Sequence, residues 1–174
     1  LMAGGIGSRF WPMSTEEYPK QFHDVLGLGR TLLQLSFDRM LMVCPKENIF
    51  IVTNSDYAEL VKEQLPEIGA NQILQEPSRK NTAPCVAYAS YKIKTLNPDA
   101  TLIVAPSDHI VMSENSFKST MDVAIKQSGS ENCLVTLGIK PSRPDTGYGY
   151  IQFLDNVEGS PEDVREVKMF TEKP

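Results

Sequence analysis

The chain has 174 residues, of which 41% are hydrophobic and 22% are charged, and these fractions are ordinary for one soluble globular domain. Its formal net charge of -5 argues against a surface built for nucleic acid, because duplex binding depends on clustered Lys and Arg. The 3 cysteines are far apart and odd in number, and no apolar run approaches the roughly 20 residues that span a bilayer, so we expect a reduced, cytoplasmic protein without disulfides or membrane contact.

Predicted strands and helices alternate along the chain. Residues 1–5 have the pattern of a strand end, and we expect the beginning of that strand to be missing. Hydrophobic spacing predicts helices, the first with a capping box of Thr31 and Gln34, over residues 31–43, 55–65, 82–96 and 116–127. Strands are predicted over residues 49–53, 72–75, 101–105 and 133–137, and an extended pair over 147–154 and 164–170 around a polar turn at 155–163.

This alternation indicates an α/β fold with a mostly parallel sheet flanked by helices on both faces. In such sheets, ligands bind beyond the carboxyl ends of the strands. We therefore expect functional residues directly after the predicted strands.

A glycine-rich turn, Gly4-Gly5-Ile6-Gly7-Ser8-Arg9, follows the first predicted strand. Glycines let the backbone come close enough to a polyphosphate for its N–H groups to donate to it. The turn lacks the Gly-Lys-Ser/Thr ending of a Walker motif, and Phe10 stands where the dinucleotide fingerprint needs a third glycine. It is therefore a phosphate-loop candidate of another kind, formed by Ala3, Gly4, Gly5, Gly7 and Ser8.

Two cations lie close to this turn in an otherwise acidic chain. Arg9 ends the turn, and Lys20 follows in the segment Tyr18-Pro19-Lys20-Gln21. Cations at such positions would neutralise the charge of a bound phosphate. The alternative is that both are solvated surface charges.

Residues 1–22, which include Trp11-Pro12-Met13-Ser14 and Pro19-Lys20-Gln21-Phe22, resemble the signature of the nucleoside-diphosphate-sugar pyrophosphorylases, in its mannose-1-phosphate guanylyltransferase branch. Further blocks agree in order and spacing, at 76–84, at 105–109, and at 146–151 with 170–174. The resemblance implies a Rossmann-like, glycosyltransferase-A-like nucleotidyltransferase fold. It also implies that residues 1–174 are one catalytic domain truncated at both ends, with most of the missing part C-terminal.

The resemblance further implies transfer of a guanylyl group from GTP to mannose 1-phosphate, with Mg²⁺ or another divalent cation as cofactor. A phosphate oxygen of the sugar phosphate is already an anion, so it attacks the α-phosphorus without a general base, while Arg9, Lys20 and Lys173 neutralise charge. Two alternatives stay open: a sibling enzyme that uses another nucleotide or sugar phosphate, and a non-catalytic nucleotide-binding module. A homo-oligomer also stays open.

The block at 76–84 is the implied base-recognition segment. Guanine presents two adjacent donors, N1–H and the exocyclic amine, and the Glu76 carboxylate could accept from both, whereas uracil or thymine presents one donor. Asn81, Thr82 and Ala83 are implied to bind the nucleotide as well. In the alternative reading, Glu76 is a strand-end carboxylate, and Asn81 or Thr82 is an ordinary N-cap.

Asp108 ends a predicted strand, at the sheet edge where ligands bind. A lone carboxylate there suits magnesium, which takes few protein ligands and fills its shell with water and phosphate oxygens. We interpret the adjacent His109 as a positioning or packing residue rather than a general base, because hard cations prefer oxygen ligands.

The last implied site binds the sugar phosphate through Gly147, Tyr148, Glu172 and Lys173. The missing side chain of Gly147 lets a hexose lie against the backbone, Glu172 can accept from sugar hydroxyls, and Lys173 can meet the phosphate. Without the resemblance, Tyr148 would be an ordinary strand aromatic and the Glu-Lys pair would be surface.

Overall fold

The structure is a computed structural model that describes residues 1–131, 133–154 and 164–172, without the side chain of Arg9. The chain forms two compact units, Leu1–Met121 and Asp122–Pro174. The helices are α1 (Leu32–Leu41), α2 (Ala58–Gln64), α3 (Thr82–Leu96) and α4 (Glu114–Ser130), and the strands are β1 (Ile51–Asn54), β2 (Ile73–Glu76), β3 (Gly149–Phe153) and β4 (Val167–Glu172). Short 3-10 turns lie at Ser8–Phe10, Lys20–Phe22, Lys46–Asn48, Ser55–Tyr57 and Ala70–Gln72.

The predicted helices are all found, and the predicted capping box starts α1. Thr31 Oγ1 accepts from Gln34 N at 3.3 Å, and Gln34 Oε1 accepts from Thr31 N at 3.0 Å, so two backbone donors that the helix cannot satisfy find partners. Among the described residues, no helix combines the length and the apolar character that a bilayer crossing requires.

A parallel sheet organises the first unit. β1 pairs with β2 in parallel, and on the other side of β1 Met2 forms parallel bridges to Val52 and to Pro106. The opening residues therefore lie between β1 and the segment that ends at Pro106. Parallel segments end at the same sheet edge, and this edge consequently collects the glycine turn, Glu76 and Asp108, as expected for a ligand site.

The apolar core of this unit fixes one part of that edge. Phe22 is completely buried, and its ring packs edge-on against Tyr57 with centroids 5.8 Å apart. Burial of a side chain of this size stabilises the fold by about 2 kcal/mol, so the turn Lys20–Phe22 is firmly anchored. The core residues are Ala3, Phe22, Leu33, Phe37, Met40, Ile49, Ile51, Tyr57, Ala58, Val61, Leu65 and Ile73.

Two of the strand predictions are wrong within the described residues. Over 101–105 no strand is found: Met2 N donates to Ala105 O and Met2 forms an isolated bridge to Pro106, but Leu102 is 39% exposed. Over 133–137 no strand pairing is found in the described part, and Leu134 is fully exposed. A short apolar run carries no information about whether a partner strand lies beside it, which is why hydrophobicity alone misleads here.

A β-hairpin organises the second unit. β3 and β4 pair antiparallel, with Gly149 opposite Glu172 and Ile151 opposite Phe170. This confirms the predicted extended pair, whereas the predicted polar turn at 155–163 lies outside the described residues. The expectation of one catalytic domain over the chain stays a prediction.

Candidate active site

The glycine turn leaves the sheet directly after Ala3. Ala3 N donates to Val52 O at 2.7 Å, and Ala3 O accepts from Thr53 Oγ1 at 3.2 Å. In the described part of the chain, no protein group accepts from the N–H groups of residues 4–7, all of which are at least partly exposed. A row of accessible, unpartnered backbone donors is the basis of backbone anion sites.

Gly7 is the residue at which this turn reverses. Its φ of +64° lies in the left-handed region, and a methyl group built on it would overlap Ser14 Oγ and lie 3.0 Å from Lys20 N. The glycine turn and the turn Lys20–Phe22 therefore pack directly against each other. The side chain of Arg9 is outside the described atoms, so its role stays a prediction.

Lys20 and Asp108, predicted separately as a phosphate cation and a metal ligand, are in contact. Lys20 Nζ lies 3.0 Å from Asp108 Oδ2, and the two side chains are 24% and 34% exposed. The ammonium also lies 5.0 Å from the centroid of the Phe10 ring. Both side chains are partly shielded from water but remain accessible to a ligand. Each charge therefore interacts more strongly with a charged group of the ligand than it would in full solvent.

Hydrogen bonds hold the segment around Asp108 in place. Ser107 N and Ser107 Oγ donate to Met2 O at 3.1 and 2.8 Å, and Arg39 Nη2 donates to His109 O at 3.2 Å. Burial of Arg39 lowers the pKa of its guanidinium. The His109 ring is 71% exposed, with Nε2 3.9 Å from Asp108 Oδ1; its assignment as a positioning residue stays a prediction.

Glu76 ends β2 beside the glycine turn. A methyl group built on Gly4 would lie 3.3 Å from Glu76 Oε2, so the carboxylate packs close to the loop backbone. The charge of the same carboxylate also acts on the buried thiol of Cys85, in the first turn of α3. Burial first, and the charge of Glu76 second, raise the pKa of that thiol to about 11. Glu76 therefore lies between the glycine turn and the start of α3.

The stability of the chain at alkaline pH should report the raised pKa of Cys85. An unfolded Cys85 loses its proton near its ordinary pKa of 9.0, whereas the folded one keeps it to a pKa of about 11, so the free energy of unfolding falls as the pH rises between these values. Cys85→Ala should remove this contribution, at most about 3 kcal/mol. Urea unfolding across this pH range measures it, with the exposed Cys133→Ala as control; equal pH slopes in Cys85→Ala and wild type would contradict the raised pKa of the Cys85 thiol.

The start of α3 offers backbone donors. Asn81 occupies the N-cap position with φ 65° and ψ −168°, and its side chain forms no capping bond. Within the described residues, no protein group accepts from the N–H groups of Thr82 and Ala83. A non-glycine residue at this φ is strained, and such strain is concentrated at functional sites. Asn81 therefore differs from an ordinary side-chain N-cap.

In the second unit, the described sugar-site residues lie at one end of the hairpin. Gly149 pairs with Glu172, and a methyl group on Gly149 would lie 2.8 Å from Glu172 Oε2. Gly149, for which no role was predicted, therefore packs closely against the Glu172 carboxylate, while a methyl group on the predicted Gly147 would lie 3.0 Å from Asp145 Oδ1. Tyr148 is 68% exposed beside them. Lys173 lies outside the described residues, so its role stays a prediction.

Several side chains that support the site were not predicted. Arg79 Nη2 lies 3.0 Å from Asp56 Oδ2, and its guanidinium lies 5.1 Å from the Tyr57 ring centroid, which ties the base-recognition segment to the fold. Gln21 Nε2 bonds two carbonyls of the glycine turn. A polar residue directly before the buried Phe22 was the available signal for Gln21; no local pattern marks the pairing of Arg79.

A glycine turn with unpartnered N–H groups, a lysine and a carboxylate at the carboxyl edge of a parallel sheet define an α/β protein with a candidate anion-binding site. The profile of the family described as Nucleotidyl transferase matches residues 1–174, and the chain belongs to that family.

Three relatives illustrate the relationship. The chain is 37% identical over 181 residues to the alginate biosynthesis protein AlgA of Pseudomonas aeruginosa, and 39% identical over 176 residues to a mannose-1-phosphate guanylyltransferase of Klebsiella pneumoniae. Each alignment covers 100% of this chain but 36% and 37% of the relatives, so the chain spans little more than a third of their length. A crystal structure described as mannose-1-phosphate geranyltransferase from Thermus thermophilus superimposes with a TM-score of 0.84 at 30% identity, covering 99% of this chain and 49% of that one. This likeness confirms the expected Rossmann-like fold.

Proposed function

We propose that this chain binds GTP and transfers its guanylyl group to mannose 1-phosphate, forming GDP-mannose and pyrophosphate. The row of unpartnered N–H groups at residues 4–7, beside the Lys20–Asp108 pair, is the observation that carries the proposal. Backbone donors and a cation together favour a polyphosphate over an uncharged ligand. The name of the Klebsiella pneumoniae relative supports these substrates, and the name of AlgA supports use of the product in polysaccharide biosynthesis.

The choice of guanine rests on Glu76 and the start of α3. The Watson–Crick edge of guanine has two donors next to one acceptor, O6. Glu76 supplies an acceptor for the donors, and the N–H groups of Thr82 and Ala83 supply donors for O6. The charge of Glu76 acts on the thiol of Cys85 in the first turn of α3, so these two ends of the site are close together, which supports recognition of the whole edge.

The residues of the first unit suit the chemistry without a general base. The sugar phosphate is an anion at neutral pH, so the barrier comes from repulsion between anions and from charge that grows on the leaving pyrophosphate. Lys20, and Arg9 as predicted, would hold and neutralise that charge. Residues 147, 148, 172 and 173 would bind the sugar phosphate.

Asp108 is the residue that would hold a divalent cation. The described residues contain no cluster of three or more His, Cys, Asp or Glu side chains arranged for a metal. A single accessible carboxylate fits Mg²⁺, which binds through one or two carboxylates together with phosphate oxygens and water. Such a cation supplies charge neutralisation on the triphosphate.

Pyrophosphate release by the full-length protein tests the proposal directly. Each of GTP, ATP, UTP and dTTP is paired with mannose 1-phosphate and with glucose 1-phosphate in the presence of Mg²⁺. The pair of GTP and mannose 1-phosphate should give the highest kcat/KM. A preference for another pair would identify a sibling transferase, and nucleotide binding without release from any pair would identify a non-catalytic module.

Glu76→Gln should reduce the preference for GTP. An amide offers one acceptor oxygen and an additional donor, so it cannot accept from both guanine donors. We expect the ratio of GTP to UTP or dTTP efficiency to fall at least about tenfold, which is about 1.4 kcal/mol of discrimination. The measurement is kcat/KM for each nucleotide at saturating mannose 1-phosphate.

The control is Glu59→Gln, which changes an exposed carboxylate on α2 that pairs with Lys62. This variant should keep the wild-type ratio. Equal losses for all nucleotides in Glu76→Gln would show that Glu76 supports the loop or the ribose and that guanine is selected elsewhere.

A further inference from the structure

Gln21 is a buried side chain that braces the glycine turn from behind. It is 3% exposed, and its Nε2 donates to Ala3 O at 2.9 Å and to Gly5 O at 3.0 Å. The two amide protons are thus both used on carbonyls of the same turn. We infer that Gln21 is a positioning residue that directs the N–H groups of the turn toward a bound triphosphate; this inference rests on the proposed function.

The geometry of the peptide bond links these carbonyls to the donors. In a trans peptide, the C=O of one residue and the N–H of the next point in opposite directions within one plane. In the described residues the only cis bond is Trp11–Pro12, so the peptides after Ala3 and Gly5 are trans. Because the carbonyls of Ala3 and Gly5 point toward Gln21, the N–H groups of Gly4 and Ile6 point away from it.

The anchoring of Gln21 makes this brace rigid. Its neighbour Phe22 is completely buried, and Phe22 N donates to Pro19 O at 3.0 Å, which closes the turn that carries Gln21. Ala3 O has a second donor in Thr53 Oγ1 at 3.2 Å, whereas Gly5 O is held by Gln21 alone among the described residues. The orientation of the peptide between Gly5 and Ile6 therefore depends most on Gln21. Its burial excludes direct contact with a nucleotide, so Gln21 acts through the loop.

A second buried glutamine, Gln72, provides a control because it bonds carbonyls that lie outside the glycine turn. Gln72 is 8% exposed, its Nε2 donates to Lys46 O and to Ile49 O, both at 2.8 Å, and its Oε1 accepts from Gly69 N at 2.8 Å. The burial and the bonds resemble those of Gln21, but the carbonyls belong to the turn that leads into β1. A comparison of the two residues separates the cost of losing buried side-chain hydrogen bonds from an effect on the phosphate loop.

The experiment compares Gln21→Met, Gln21→Glu and Gln72→Met in the full-length protein. Methionine keeps the length and removes both donors, while glutamate also places an acceptor against two carbonyls. Calorimetry measures the binding of tripolyphosphate, GTP and guanosine, and urea unfolding measures stability. We expect Gln21→Met to bind tripolyphosphate and GTP at least about tenfold more weakly, with guanosine affinity unchanged, and Gln21→Glu to lose more. Gln72→Met, which also loses the bond from Gly69 N, should lose at least as much stability and keep wild-type affinity for all three ligands.

The comparison of tripolyphosphate with guanosine distinguishes an effect on the phosphate loop from a general loss of binding. Wild-type affinity for tripolyphosphate in Gln21→Met would overturn the inference, as would an equal loss for guanosine, or the same ligand losses in Gln72→Met. A wild-type protein that binds no tripolyphosphate would overturn it too, since the loop would then be no anion site. A protein that prefers a nucleotide other than GTP would contradict the proposed function, but the loss of tripolyphosphate binding in Gln21→Met would still support the role of Gln21.

Discussion

Lys20→Ala should lower kcat of the full-length protein at least about 100-fold, with a much smaller change in the KM for GTP. A positioned cation contributes more to the transition state, in which charge grows on the leaving pyrophosphate, than to the ground state. The Lys20–Asp108 pair is partly exposed, and such pairs add about 1 kcal/mol or less to stability, so folding should survive. Steady-state kinetics and thermal unfolding separate the two effects.

The same variant should bind a divalent cation no more weakly than wild type when no nucleotide is present. Lys20 Nζ neutralises Asp108 at 3.0 Å in the structure, and its removal leaves the carboxylate to a metal. Mn²⁺ titration followed by electron paramagnetic resonance measures this, and Asp108→Asn should weaken Mn²⁺ binding. Lys62→Ala, which removes a surface ion pair with Glu59, is the control for loss of a lysine. Normal turnover in Lys20→Ala, with only a lower melting temperature, would show that Lys20 is structural.

Local rules predicted much of the fold because the deciding interactions are close in sequence. The bounds of α3 and the capping box of Thr31 and Gln34 follow from hydrophobic spacing and from bonds three residues apart. Whether residues 101–105 and 133–137 form strands could not be decided from such local interactions. A strand exists only with a neighbour to pair with, and no local pattern shows whether that neighbour is present.

In the candidate site, too, the residues marked by local patterns were predicted and the long-range contacts were not. The glycine turn, Lys20, Glu76 and Asp108 were predicted because each stands after a predicted strand or beside a motif. The contacts among them were not, since Lys20 meets Asp108 and Gln21 meets Ala3 only after the sheet has formed. Supporting residues of this kind act through long-range geometry, and their residue types alone do not distinguish them from ordinary buried polar groups.

Gly5 and Gly7 lie in one turn, yet alanine should affect them differently. Gly7 has φ +64°, and a methyl group there would overlap the hydroxyl of Ser14, which is 2% exposed and has little room to move. The left-handed conformation alone costs an alanine about 1–2 kcal/mol, and the overlap adds to it. We therefore expect Gly7→Ala to lower the free energy of unfolding by at least about 2 kcal/mol and to lower kcat/KM for GTP at least about 100-fold.

A methyl group on Gly5, in contrast, would meet no atom within 4 Å, so the fold does not require a glycine there. If a triphosphate lies against this backbone, the ligand does require it, because an added side chain keeps the phosphate away from the N–H groups. Gly5→Ala should keep the free energy of unfolding within about 1 kcal/mol of wild type, while GTP affinity falls at least about tenfold. Urea unfolding and GTP calorimetry on both variants provide the comparison. Full GTP affinity in Gly5→Ala would contradict close approach of a phosphate to this residue, and equal stability of Gly7→Ala and wild type would contradict the described conformation of the turn.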